Sequence, residues 1–150
     1  MSKENRLHRV VFEDNYCGVK YWIVENGYWT DDGSYDMRWY CAYVKPPLSK
    51  KLKYKNSLND LEVHGGITFD GDLSIIKGCR YVWGWDYNHA YDCSKENLFK
   101  TKFQMMEQNE VIDIIQNDCQ EFIRRYLIWN QLLKYWIGYF LWTLIFLKQF

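Results

Sequence analysis

Apolar and polar residues alternate along the first half of the chain, then recur at a helical interval past about residue 106. Residues 9–12, 19–24 and 38–45 are runs rich in β-branched and aromatic side chains, the composition of half-buried strands. Asn26-Gly27 and Asp32-Gly33 are turn dipeptides that separate such runs. Pro46-Pro47 stops the third, since proline has no N–H to donate to a ladder. Residues 61–69 predict a further strand broken at Gly65-Gly66, and residues 80–85 predict the last. Val111, Ile115, Cys119, Phe122 and Tyr126 then follow at steps of three or four. Ile112 and Ile123 widen that stripe, while Asp113, Asn117, Glu121 and Arg124 cover other faces. The pattern predicts an α+β fold, a small mainly antiparallel sheet followed by a long C-terminal helix packed across it. One domain over residues 1–150 is implied, with a sheet region at about 9–100 and a helical region at about 106–147.

Composition changes this picture in one respect. Hydrophobic residues are 48% and charged residues 25%, as in an ordinary globular chain, but eight Trp and thirteen Tyr raise the aromatic share to 19%. Such side chains suit interfaces and half-buried sheets alike, having a polar group on a large apolar body. Nineteen basic and nineteen acidic residues cancel, which removes any global electrostatic drive toward nucleic acid. The five cysteines, Cys17, Cys41, Cys79, Cys93 and Cys119, are scattered and never spaced C-x-x-C. That argues against a disulfide framework and a cysteine zinc site. With no apolar h-region opening the chain, a reducing cytoplasm is expected.

Candidate chemistry concentrates in two segments, His64-Gly65-Gly66-Ile67-Thr68-Phe69 and the stretch from Trp83 to Asp92. Asp86, His89 and Asp92 form D-x-x-H-x-x-D, with His64 about twenty residues earlier. On a turn these side chains can converge, and two carboxylates with two imidazoles suit a divalent ion such as zinc, manganese or iron. The same groups serve without metal as general base and orienting acid. A structural reading stands beside both. Asp86 can cap a short helix starting at Tyr87, Asp92 can close the next turn, and His64 can pin the glycine turn. Gly65 and Gly66 permit positive φ or close approach to a ligand, yet match no phosphate-binding loop. Trp83 and Trp85 share one side of a strand, as a stacking platform or as core.

Two further segments concern partners. Lys45, Lys50, Lys51, Lys53 and Lys55 lie in a stretch without an acidic residue, either solvated or turned to phosphates or an acidic surface. Residues 135–147 carry no charge, but thirteen helical positions span roughly 20 Å against the ~30 Å of a bilayer core. Burial in the chain's own core or a homo-oligomer through the C-terminal helix is favoured over partner docking, and a membrane anchor is disfavoured.

With the strand Cys41-Ala42-Tyr43-Val44, these motifs resemble a family of small uncharacterised phage and prophage proteins. Its pattern is C-G-Y-V, then H-G-G-[LI]-T-[FY], then W-x-G-F-D-x-x-H-x-x-D. Ala42 and Trp85 depart from it, and the resemblance ends near residue 125. It implies a phage accessory protein in the bacterial cytoplasm, where such proteins often inhibit host defences, as anti-CRISPR proteins do. The expected function is inhibition of a defence system by binding a host effector protein or ribonucleoprotein complex, without catalysis. The aromatic surface and residues 45–55 are the expected contacts. The alternative is a metal-dependent hydrolase or nucleotide-binding protein built on His64, Asp86, His89 and Asp92.

Overall fold

The computed structural model describes residues 6–29, 35–45, 63–79, 81–88 and 102–147. Strands β1 (Arg6–Tyr16), β2 (Val19–Trp29) and β3 (Tyr35–Val44) lie side by side. They are followed by β4 (Phe69–Gly71), β5 (Val82–Asp86), the one-turn helix α1 (Lys102–Met105) and α2 (Gln108–Leu147). Every pairing is antiparallel, and the order across the sheet is β1-β2-β3-β5-β4. The fold is therefore α+β, an antiparallel sheet followed by a long C-terminal helix, as the periodicity predicts.

The first turn falls where the dipeptide signal does not. Cys17 and Gly18 have φ of 51° and 82°, the left-handed pair that a two-residue hairpin requires. The Asn15 side-chain oxygen accepts the Gly18 N–H at 2.9 Å. Asn26-Gly27, expected as a turn, instead runs inside β2, opposite His8 and Leu7 on one side and Trp39 and Arg38 on the other. Two paired flanks override local turn preference there. The Asn26 side chain meets His8 Nδ1 at 2.6 Å and donates to Cys41 Sγ at 3.3 Å, so its burial leaves it satisfied. Asp32-Gly33 lies outside the described residues.

Alternation along the strands divides the side chains between two layers. Tyr21, Ile23, Tyr40, Ala42, Val44, Trp83, Trp85 and Tyr87 face α2, meeting Val111, Ile115, Cys119, Phe122, Ile123 and Tyr126. All five stripe residues named from the sequence are buried. Phe122 lies 5.4 Å from Trp85 and Tyr126 lies 5.4 Å edge-on to Trp83. Each such side chain contributes about 2 kcal/mol by leaving water. On the opposite layer Trp22, Val24, Cys41, Tyr43 and Val82 pack with Ile76.

Much of the aromatic content lies inside the fold. Tyr21, Trp22, Tyr40, Tyr43, Trp83, Trp85, Tyr87 and Tyr126 are all buried, so among the described residues aromatic rings build both layers of the core. A small sheet covered by one helix gets more buried area per residue from rings than from aliphatic chains. One charge is enclosed with them. Glu25, 1% exposed, accepts from Arg9 Nε at 2.8 Å and from Tyr40 Oη at 3.3 Å, with Arg38 Nε 3.9 Å away. Arg38 also donates to the Met106 carbonyl at 3.1 Å, tying the entry of α2 to β3.

The described side chains of the distal helix are not in this core. Ile128, Leu132, Tyr135 and Tyr139 are all exposed, which rules out self-burial of that row. Among the described residues, no helix is long and apolar enough to cross a membrane.

Candidate functional site

The segment from Val63 to Thr68 reaches β5 through a tight turn. Gly66 donates its N–H to the Val63 carbonyl at 3.0 Å, and Gly65 at the third position has φ of 68°. That conformation at the third position is the mark of a type II turn and explains a glycine there. Thr68 then donates its N–H to the Gly84 carbonyl at 3.0 Å, extending the line of β4 along β5. The glycine pair thus shapes the turn that delivers His64 and Thr68.

His64 and Asp86 go to different layers. The His64 ring stacks on Tyr87, with centroids 4.6 Å apart and planes 11° apart, and Phe103 of α1 closes edge-on at 5.5 Å. Tyr87 belongs to the layer under α2. Asp86, one residue earlier, is carried by alternation to the other side, opposite Cys41 in the ladder. Its carboxylate accepts from the Asn88 N–H at 3.2 Å and from Thr68 Oγ1 at 3.4 Å. Asp86 therefore closes an Asx turn onto Asn88, the short-range use of aspartate that sequence reasoning anticipated as a helix cap. The His64 ring, beside the glycine turn it was expected to pin, bears on Tyr87.

Trp83 and Trp85 share a side as predicted, but that side is the core. They are 3% and 1% exposed, so they form no open stacking platform. Among the described residues no group of three or more His, Cys, Asp or Glu side chains is gathered in a way that could hold a metal ion. His89 and Asp92, the remaining members of the candidate metal set, lie outside the described residues. So do Lys50, Lys51, Lys53 and Lys55. Lys45 is exposed at the end of β3, its backbone N–H on the Lys20 carbonyl at 2.9 Å.

The sequence reading missed a hydrogen-bonded line that begins inside the motif. Trp85 Nε1 donates to Tyr87 Oη at 2.9 Å, and Tyr87 Oη donates to Asp118 Oδ2 of α2 at 2.8 Å. Burial pushes the Tyr87 hydroxyl well above its ordinary range, with the Asp118 charge acting in the same direction, so it remains a donor. Asp118 falls seven residues after Val111 and three after Ile115, on the apolar stripe itself. A carboxylate at that position was the available signal. Beyond it a polar cleft of about 330 Å³ opens between the end of β1 and α2, lined by Tyr16, Asn117, Asp118, Gln120, Glu121 and Arg124. Glu121 is already paired with Arg124 and Arg125.

The two buried cysteines, Cys41 and Cys119, are poor nucleophiles. Burial raises the Cys41 thiol to about 11 and carries that of Cys119 well above its ordinary value. Both are protonated at neutral pH and behave as small apolar groups. The described site thus amounts to a turn, a stacked histidine and a buried hydrogen-bonded line. These hold β5, α1 and α2 together. Comparison with family models, curated proteins and solved structures yields no match.

Proposed function

We propose that this chain is a phage-type accessory protein that inhibits a bacterial defence system, anti-CRISPR-like, by binding a host effector protein or complex in the cytoplasm. The observation that carries the reading is the exposed row on α2. Ile128, Leu132, Tyr135 and Tyr139 are 53%, 53%, 78% and 67% exposed, a surface suited to protein contact. Trp83 and Trp85 lie in the core, Gly65 shapes a turn, His64 stacks on Tyr87, and Thr68 and Asp86 are hydrogen-bonded to each other. The motif resemblance supplies the phage context, an argument by analogy. Lys45 at the end of β3, with Lys50, Lys51, Lys53 and Lys55, is the contact for an acidic effector surface.

Expression of the chain in bacteria with active defence systems, challenged by phage, tests this directly. Plating efficiency should rise against at least one system, and the tagged chain should capture a component of it from purified material. Charge reversal at Lys45, Lys50, Lys51, Lys53 and Lys55 together should weaken that capture. Unchanged plating across the systems, with no captured component, refutes the reading.

A further inference from the structure

The polar cleft between the end of β1 and α2 is lined by side chains that are held from behind. Asp118 is fixed at one carboxylate oxygen by the Tyr87 hydroxyl, itself fixed by the Trp85 indole N–H. Gln120 donates its Nε2 to the Tyr21 hydroxyl at 3.4 Å, which leaves its carbonyl oxygen as a spare acceptor. Glu121 is clamped by Arg124 and by Arg125 Nε, the latter at 2.7 Å. Tyr16 and Asn117 complete the lining, with a hydroxyl and a carboxamide that no described side chain engages. Groups ordered in advance lose little freedom when a ligand arrives, so this wall is built for binding.

We infer that this cleft binds a neutral sugar, one pyranose ring at a time. Its volume of about 330 Å³ lies at the small end of the ~300–1,000 Å³ of small-molecule sites, which suits one ring better than a nucleotide or a peptide. Charge selects a neutral ligand. Asp118 and Glu121 are matched by Arg124 and Arg125, and Asp14 accepts from the Tyr21 hydroxyl at 3.1 Å, just behind Gln120. A phosphate would therefore meet the carboxylates of Asp118 and Asp14, and an ammonium would meet the guanidinium of Arg124.

The chemistry of the lining is that of hydroxyl recognition. Carboxamide, carboxylate and guanidinium groups each present two polar atoms side by side, and neighbouring ring hydroxyls match them because each hydroxyl both donates and accepts. Asn117, Gln120, Asp118 and Arg124 supply all three types. Tyr16 adds the one aromatic ring among the described lining residues, and the negative face of such a ring suits the C–H face of a sugar. An apolar ligand would find little else there to bury itself against. None of these residues belongs to the effector contacts named above, so sugar binding and effector binding are separable.

Saturation-transfer NMR on the full chain is the test, with glucose, galactose, mannose and N-acetylglucosamine as probes at about 10 mM. At least one should bind with a dissociation constant on the order of 1 mM and show transfer to its ring protons. Asn117→Ala, at an exposed helix position, should weaken that binding about fivefold or more with an unchanged near-UV spectrum. Glucose 6-phosphate and adenosine monophosphate should bind more weakly than the neutral sugar. A methyl glycoside that binds as tightly as the free sugar supports the site with the end residue of a glycan as the source. A methyl glycoside that fails to bind supports it with the free sugar as the source. Absence of transfer to all four sugars overturns the inference, as does tighter binding of either phosphate. Sugar binding that Asn117→Ala leaves unchanged overturns it too.

Discussion

Gly84 is the position where the backbone leaves least room, and replacing it by alanine gives a sharp test of how β5 is seated. It stands opposite Tyr43 in β3 and Phe69 in β4. A Cβ there would lie 2.5 Å from Tyr43 Cδ1, 2.6 Å from Cε1 and 3.0 Å from the Ala42 carbonyl oxygen. The Tyr43 ring crosses the missing side chain to meet Phe69 edge-on, with centroids 5.6 Å apart. Alanine must displace that ring, and Tyr43 is buried, 7% exposed. Overpacking of this kind costs about 1–3 kcal/mol. Loss of the Tyr43–Phe69 pair adds about 0.5–1.5 kcal/mol. Against this, replacing a strand glycine recovers about 0.5–1 kcal/mol of chain entropy.

The expected net loss is therefore about 2 kcal/mol, or roughly 4–8 °C in melting temperature for a chain of this size. Urea denaturation at pH 7.5 reads it as a lower midpoint at unchanged slope. The ring is the cause in this account, so Tyr43→Leu should cost less in the Gly84→Ala background than alone. A Gly84→Ala chain as stable as the wild type, or two substitutions with simply additive effects, would refute the reasoning.

Tyr87→Phe keeps the ring stack on His64 but strands the buried Trp85 indole N–H, and should cost about 1–3 kcal/mol in the same urea assay. Burial raises Cys41 from 9.0 to about 11 and Tyr21 from 10.0 to about 12, so folding holds protons that the unfolded chain releases. Stability should be full below about pH 9 and fall steadily from pH 9 to 12, and a midpoint that rises across that window contradicts the assignment. Under native conditions at pH 8 iodoacetamide should modify exposed Cys17 first and leave Cys41 and Cys119 untouched until urea is added, as read by peptide mass spectrometry. Protein purified without chelator should carry zinc, manganese or iron well below one per chain. A stoichiometric ion lost on His89→Ala would instead favour the hydrolase reading.

What was legible in the sequence follows from which interactions decide each element. The α2 stripe is read correctly because every one of its buried residues faces the same sheet, so a single period survives along the run from Val111 to Tyr126. Residues 80–85 are recognised as a strand for a similar reason, since Trp83 and Trp85 alternate with Gly84. Asn26-Gly27 misleads because its turn preference is local, worth less than pairing to β1 and β3 at once. Cys17-Gly18 escapes notice because cysteine seldom takes positive φ, and only the register of β1 on β2 requires it there.

Of the candidate set, His89 and Asp92 lie outside the described residues. The two described members with ionisable side chains, His64 and Asp86, are separated by alternation along β5, because Asp86 faces one layer while Tyr87, on which His64 stacks, faces the other. Proximity in sequence there means separation by the thickness of the sheet. The connection that does form, Trp85 to Tyr87 to Asp118, spans 31 residues between its last two members and joins strand to helix. No spacing rule contains such a pair. Asp118 is nevertheless visible as an inconsistency, a carboxylate on an apolar stripe, and the opposite inconsistency marks the distal helix, where apolar residues occupy the face that was charged one turn earlier. Each departure from the pattern marks a group that must find a partner. For Asp118 the partner is Tyr87 of the same chain, whereas Ile128, Leu132 and Tyr135 stand exposed on the face of α2 turned away from the sheet.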